Sequence, residues 1–312
     1  MSELNILGKL SSLLAINEDE LYKYVKTAPH RYKTYTIPKN NGKGVRWIAQ
    51  PSKNLKYLQR AVLDEFLSDL PIHGSAVAYT KGIGIKENAK RHQGNQYILK
   101  MDFKDFFPSI KPRTLLAHIK KYLEVGTTKQ DRAVIKSMFF WSKDKSKSYQ
   151  LSIGAPSSPF ISNTIMFDFD SEISKLIGND IIYTRYADDL VFSTNKKNIL
   201  YNVPTLVKRI IDSGFYEFLT INTTKTIFLS KRNRRMVTGL IIDNGGNISI
   251  GRDKKRCIKS LVHTFSLGNM PEEDIYKLKG YMAFISDVEP EFCVRLRKKY
   301  GNSVIDSIMS SS

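Results

Sequence analysis

Two adjacent carboxylates stand between two apolar, β-forming runs. Ile181-Ile182-Tyr183 leads into Tyr186-Ala187-Asp188-Asp189, and Leu190-Val191-Phe192 leads away. Apolar β-formers around a short polar tip predict a hairpin, and this one carries its acids at the tip. Side-by-side carboxylates repel each other unless cations sit between them. Hard divalent ions favour such oxygen ligands, and a pair of them can clamp the attacking and leaving oxygens of a phosphoryl transfer. Taken alone, the four residues make an ordinary polar hairpin tip. A second acidic strand end changes the reading.

Tyr97-Ile98-Leu99-Lys100-Met101 is a short, mostly apolar strand that runs into Asp102, and an aromatic turn follows through Phe103-Lys104-Asp105-Phe106-Phe107-Pro108. An acid at the end of a buried strand is costly unless it is paired or bound to metal. By itself Asp102 reads as a helix N-cap or a turn residue. One strand ending in Asp together with a hairpin tipped by Asp-Asp resembles the metal-binding pattern of palm-domain polymerases.

On these residues the chain resembles the reverse transcriptases, and among them the bacterial retron reverse transcriptases of the group II intron-like superfamily. The Asp102 segment is similar to the family's first catalytic motif and Tyr186–Asp189 to its signature hairpin. Between them, Ile153-Gly154-Ala155-Pro156-Ser157-Ser158-Pro159 resembles the segment that supports template and incoming nucleotide. Asn88-Ala89-Lys90-Arg91-His92 and Val237-Thr238-Gly239 resemble two retron hallmarks. The resemblance implies an α+β, right-hand polymerase fold with fingers, palm and helical thumb. It also implies RNA-directed DNA polymerase activity, with Asp102, Asp188 and Asp189 as catalytic and metal-holding residues and two Mg²⁺ ions as cofactor.

Charge agrees independently. There are 49 Lys+Arg against 30 Asp+Glu, a formal net charge of +19, which suits a polyanionic partner. No apolar run reaches the roughly 18 residues needed to span a bilayer, and no signal peptide is visible, so nucleic acid rather than a membrane is the expected partner. Cys257 and Cys293 make neither a disulfide framework nor a zinc site, and a cytoplasmic location is expected.

Along the chain, Leu4, Leu7, Leu10, Leu13 and Leu14 predict a first helix, and Asn17 with Glu20 a capped second one. Tyr32–Ile37, a turn at Asn40-Asn41-Gly42 and Val45–Ile48 predict a hairpin. Leu55, Leu58, Val62 and Phe66 follow helical spacing, Ser142–Ser148 is a charged loop with little expected order, and Phe160–Ile177 reads as one helix. The expected divisions are 1–95 for N-terminal helices and fingers, 96–242 for the palm with part of the fingers inserted around 111–160, and 243–312 for the thumb.

The resemblance assigns further residues. Lys43 and Arg46 on the fingers hairpin are candidates for the triphosphate, where Lys acts as a point charge and Arg as a planar fork. Phe107 falls at the sugar gate, where a ring under the ribose excludes a 2′-hydroxyl. Gly154 lets a base pair approach the backbone. Ile153 departs from the family pattern, which has Gln there. Lys225 falls near the departing pyrophosphate, though a surface Lys is the plain alternative. Asn88 and His92 would share one helix face and, with Val237, Thr238 and Gly239, serve RNA or primer binding. The run Lys231-Arg232-Asn233-Arg234-Arg235 and the thumb-helix residues Lys254 and Lys255 are expected to meet the nucleic-acid backbone.

The retron resemblance implies as partners deoxynucleotide triphosphates, a cognate noncoding RNA, and its branched DNA product primed from a guanosine 2′-hydroxyl. It also implies an effector or toxin protein and an anti-phage role. Two alternatives stand beside this: another group II intron-like reverse transcriptase, or a scaffold that holds an RNA–DNA hybrid to restrain an effector.

Overall fold

The structure, a computed structural model, describes residues 3–39, 42, 44–143 and 148–310. Helix α1 (Ile6–Leu14) buries Ile6, Leu7 and Leu10 and leaves Leu13 exposed. Helix α2 (Glu18–Thr27) starts at Asn17, whose side chain accepts hydrogen bonds from the backbone N–H groups of Asp19 and Glu20, and its first turn carries three acids that suit the helix dipole. Strands β1 (Tyr32–Pro38) and β2 (Val45–Pro51) pair antiparallel in the expected hairpin. Asn40, Asn41 and Lys43 lie outside the described residues, as do residues 144–147 of the charged loop.

Helix α3 (Lys53–Val62) passes into one π turn, Leu63–Leu67, where the predicted helical stripe slips. The wider turn brings Leu63 and Leu67 into the core and leaves Phe66 half-buried. Helix α4 (Ile85–His92) precedes β3 (Tyr97–Asp102). Then come α5 (Phe106–Ser109), α6 (Pro112–Tyr122), α7 (Lys129–Phe139) and the small pair β4 (Phe140–Trp141) with β5 (Gln150–Leu151). The single helix expected over Phe160–Ile177 is two, α8 (Ser158–Ile165) and α9 (Phe167–Ile177), interrupted at Met166. Strands β6 (Ile182–Tyr186) and β7 (Asp189–Thr194) form the acidic hairpin, and α10 (Val203–Ile211) leads to β8 (Ile227–Leu229). The strand order is β6-β7-β3-β8, every pair antiparallel.

The central strands β3 and β7 are covered on both faces, which is why they read as nearly unbroken apolar runs. Successive side chains of a strand point to opposite faces. Leu99, Met101, Leu190 and Phe192 enter one core with Phe169 and Ile173 of α9, whereas Ile98 and Val191 enter a second with Ala89 of α4. Each such Leu, Ile or Phe contributes about 1.5–3 kcal/mol by leaving water. The second core continues through β9 (Arg235–Val237), β10 (Leu240–Ile242) and β11 (Ile248–Ser249), a three-stranded sheet. It ends in four helices, α11 (Arg252–Ser266), α12 (Glu272–Val288), α13 (Pro290–Tyr300) and α14 (Asn302–Ser310). Among the described residues no helix is long and apolar enough to cross a membrane.

Candidate active site

The strand register brings the acids together. Asp102, the last residue of β3, pairs directly with Asp189, the first of β7. Tyr186 pairs with Asp189 across the hairpin, so Ala187 and Asp188 form its two-residue turn. Ala187 holds φ at 57°, a left-handed conformation unusual for a residue with a Cβ. Two observations explain why it persists. The Phe103 N–H donates to the Asp188 carbonyl at 3.1 Å. From beneath, the wholly buried Arg185 guanidinium grips the Asp170 carboxylate of α9 at 2.7 and 2.9 Å, and its Nη1 reaches Asn163 Oδ1 and the Ala187 carbonyl. The Tyr183 hydroxyl adds a bond to Asp170 at 2.8 Å. Burial opposes the guanidinium charge, but the Asp170 carboxylate outweighs it and Arg185 stays firmly cationic.

The charges at the tip are out of balance. Burial first, then the neighbouring Asp189 and Asp102 charges, pushes the Asp188 carboxyl up to about 6. Burial and Asp102 raise Asp189 as well, against the pull of Lys100 and Lys225. Lys225 Nζ lies 2.7 Å from Asp102 Oδ2 with 54% of its side chain exposed. Burial disfavours its charge, but the bond to Asp102 and the pull of the other two acids prevail and raise its pKa. Asn222 donates to the other Asp102 oxygen at 3.0 Å.

By donor chemistry this site fits hard divalent ions: three carboxylates converge at one sheet end, two of them made more basic by mutual repulsion and burial. They do not form a closed cage, since among the described residues no three His, Cys, Asp or Glu side chains are grouped tightly enough to hold an ion. The Lys225 ammonium supplies the local positive charge.

A cavity of about 320 Å³ is lined by Phe107, Gly154, Tyr79, Lys56 and Arg60 among others, Ile153 included. Gly154 takes φ of 120°, and a Cβ there would press within 3.2 Å of the Ala49 carbonyl and the Ile48 side chain, so glycine keeps this wall thin. Arg46 is exposed on β2 opposite Ile37. Lys43 lies outside the described residues. Sequence reasoning missed Tyr79, Lys56 and Arg60. The two cations are four apart on α3, a spacing that could have marked them as one helix face. Tyr79, at φ 63° and 6.4 Å from the Tyr186 ring, carries no sequence signal.

Several expected nucleic-acid contacts are corrected. Asn88 and His92 share a face of α4, but both are wholly buried against the back of the acidic hairpin. His92 bonds the Ser193 and Thr184 hydroxyls at 2.7 Å each, and Thr184 donates to Asn88 Oδ1 at 2.7 Å. Burial, then Arg91, drives His92 down to about 3, so it is neutral. These residues bind the fold and have no surface to offer RNA. Val237 is likewise buried. Thr238 and Gly239, both at positive φ, form the tight turn between β9 and β10, with Thr238 half-buried and Gly239 exposed. Arg235, read as part of a basic surface run, is buried and bonds the Asn95 and Asp243 carbonyls. Lys255 pairs with Glu289 at 2.5 Å. Arg234 and Lys254 do remain exposed, Arg234 3.8 Å from Asp253 and Lys254 over the Phe284 ring.

Comparison with known proteins identifies the family. The family described as reverse transcriptase (RNA-dependent DNA polymerase) matches residues 37–264. The Escherichia coli retron Ec83 reverse transcriptase is 41% identical over 90% of both chains. The E. coli retron Ec86 reverse transcriptase is 31% identical over 97% of this chain and 93% of its own. Among solved structures, a Candida albicans telomerase with a fragment of telomeric RNA superposes with a TM-score of 0.50 at 13% identity, over 94% of this chain and 59% of the telomerase, which supports the right-hand polymerase fold. The chain belongs to the reverse transcriptases, and among them to the bacterial retron group: RNA-directed DNA polymerases that copy an RNA template and depend on divalent metal.

Proposed function

We propose that Asp102, Asp188 and Asp189 are the catalytic centre of a retron reverse transcriptase that copies a cognate noncoding RNA into a short, branched single-stranded DNA. The observation that carries this reading is the direct pairing of Asp102 with Asp189 beside the Asp188 turn. The three carboxylates would hold two Mg²⁺ ions, which when bound supply charge neutralisation for the triphosphate and a more acidic primer hydroxyl. The remaining work falls to the chain itself. Arg46, with Lys43, takes the triphosphate. Phe107 sits under the ribose and excludes a 2′-hydroxyl, so deoxynucleotides enter. Gly154 gives the base pair room. Lys225 Nζ, already an ammonium beside the acids, faces the leaving pyrophosphate and can give it a proton. Arg234 and Lys254, exposed beside the second core, meet phosphates of the bound strand. Priming from a guanosine 2′-hydroxyl, an effector protein partner and an anti-phage role complete the reading.

The test is to express the chain with its flanking DNA, as wild type and Asp188→Asn, and sequence the co-purifying nucleic acid after ribonuclease or deoxyribonuclease treatment. A discrete short DNA joined to RNA, present only with wild type, is expected. Unbranched, heterogeneous DNA would refute the branched-product reading, and the same DNA from Asp188→Asn would refute the catalytic assignment.

A further inference from the structure

At the end of the sheet away from the acids lies a second cavity, of about 590 Å³. Strand β3 runs from Tyr97 at this cavity to Asp102, so about 17 Å of strand separates the two places. The lining combines four cations, Lys196, Lys197, Lys231 and Arg232, with two exposed aromatics, Tyr201 and Phe228, and includes no Asp or Glu. Among the described residues, Lys196 is the only one of these cations that pairs with a carboxylate, Asp180 at 2.7 Å, and that pair is itself exposed. Among the described residues Lys197, Lys231 and Arg232 have no acidic partner.

Local structure explains the arrangement. Asn233 turns the chain after β8 by donating its N–H to the Ser230 carbonyl and accepting from the Ser230 hydroxyl and N–H. That turn presents Lys231 and Arg232 to solvent. Tyr201 is 62% and Phe228 40% exposed, and their rings lie 4.9 Å apart. Two large aromatics exposed side by side form a small apolar patch of the kind that marks a contact surface. The combination matches what a flexible polyanion of stacked rings needs: cations for the phosphates and aromatic faces for the bases.

We propose that this groove is a second, non-catalytic site for single-stranded nucleic acid, with phosphates on the four cations and one or two bases against Tyr201 and Phe228. It rests on the family assignment, not on the roles given to the three acids. The shared chemistry admits single-stranded RNA or DNA, so the site would hold either a template segment outside the cleft or the displaced product strand. The outer edge of β8 is open to a strand from a protein instead, but a lining whose charged residues are all cations favours the polyanion.

The test uses the full-length chain with a primer–template duplex filling the cleft. A photoreactive single strand of about a dozen nucleotides, made as RNA and as DNA, is crosslinked and the modified peptides are mapped. Crosslinks in 196–201 and 227–233 are expected, and the more efficient probe identifies the natural strand. Tyr201→Ala should weaken binding about fivefold to a hundredfold. Lys197→Glu should reduce the slope of log K against log salt by about 0.7 or more. Unchanged melting curves would show that both variants fold. Crosslinks confined to other surfaces, or unchanged affinity and salt slope in both variants, would overturn the proposal. So would variants that bind the strand normally yet lose a co-purifying protein, which would make the groove a protein-docking edge.

Discussion

Replacing Asp188 by Asn should make the metal-free protein more stable while abolishing its activity. The fold holds Asp188 in a place where its charge is unfavourable, raising it from an ordinary 3.8 to about 6 through burial and then the neighbouring acids. The sign follows from proton counting. Below about pH 4 folded and unfolded chains both carry the proton. Between 3.8 and 6 the folded state keeps a proton that the unfolded state has lost, so stability falls as pH rises through that window, and above 6 the loss is complete. At about 1.4 kcal/mol per tenfold change in acidity the full gap is about 3 kcal/mol, and partial exposure of the side chain reduces it to about 1–3 kcal/mol. Asn keeps the shape and the backbone bond from Phe103 but carries no charge. In chelator at about pH 7.5, urea denaturation should therefore show Asp188→Asn more stable by about 1–3 kcal/mol, with the gain gone near pH 4. Added Mg²⁺ should stabilise wild type and not the variant, because a ligand stabilises only the state that binds it. A variant no more stable than wild type in chelator, or a gain that persists unchanged at acid pH, would refute the reasoning.

Other outcomes follow from the packing. His92→Ala should cost about 2–4 kcal/mol by removing two buried hydrogen bonds and leaving a cavity, although Thr184 keeps Asn88 and Ser193 keeps Asn95, with RNA affinity of the folded protein unchanged in a filter-binding assay. Because His92 titrates near 3 in the folded state and near 6.5 when unfolded, it makes stability fall as pH drops below 6.5, and denaturation of the variant should show a shallower acid slope. Asp170→Asn leaves the Arg185 charge buried without its partner and should cost about 3–5 kcal/mol by calorimetry. Gly154→Ala, which forces a Cβ against Ala49 at φ 120°, should raise the KM for nucleotide in steady-state kinetics and lower the melting temperature.

What the sequence made legible was whatever local pattern and pairing impose. The hairpin around Asp188 and the strand ending at Asp102 could be read because their apolar residues alternate with turn chemistry at fixed offsets. The β1–β2 hairpin and the Asn17 cap were readable for the same reason. Where tertiary contacts decide, reading failed. Asn88 and His92 look like a polar helix face, yet the partners that bury them, Thr184 and Ser193, lie about a hundred residues away. Arg235 sits in a run of cations, and only the β9–β10 register turns it inward while Arg234 stays outside. The break at Met166 and the π turn after Val62 carry no proline or glycine to announce them. Tyr79 reaches the cavity from a stretch with no periodicity at all.

The most direct measurement is extension of a DNA primer on an RNA template by purified wild type, Asp102→Asn and Asp188→Asn, with Mg²⁺ or chelator present and folding checked by circular dichroism. The account predicts RNA-templated DNA synthesis by wild type with Mg²⁺ only, and loss of at least about a thousandfold in each folded variant (about 4 kcal/mol of transition-state stabilisation). Synthesis at near wild-type rates by either variant would contradict the assignment of these acids as the catalytic centre.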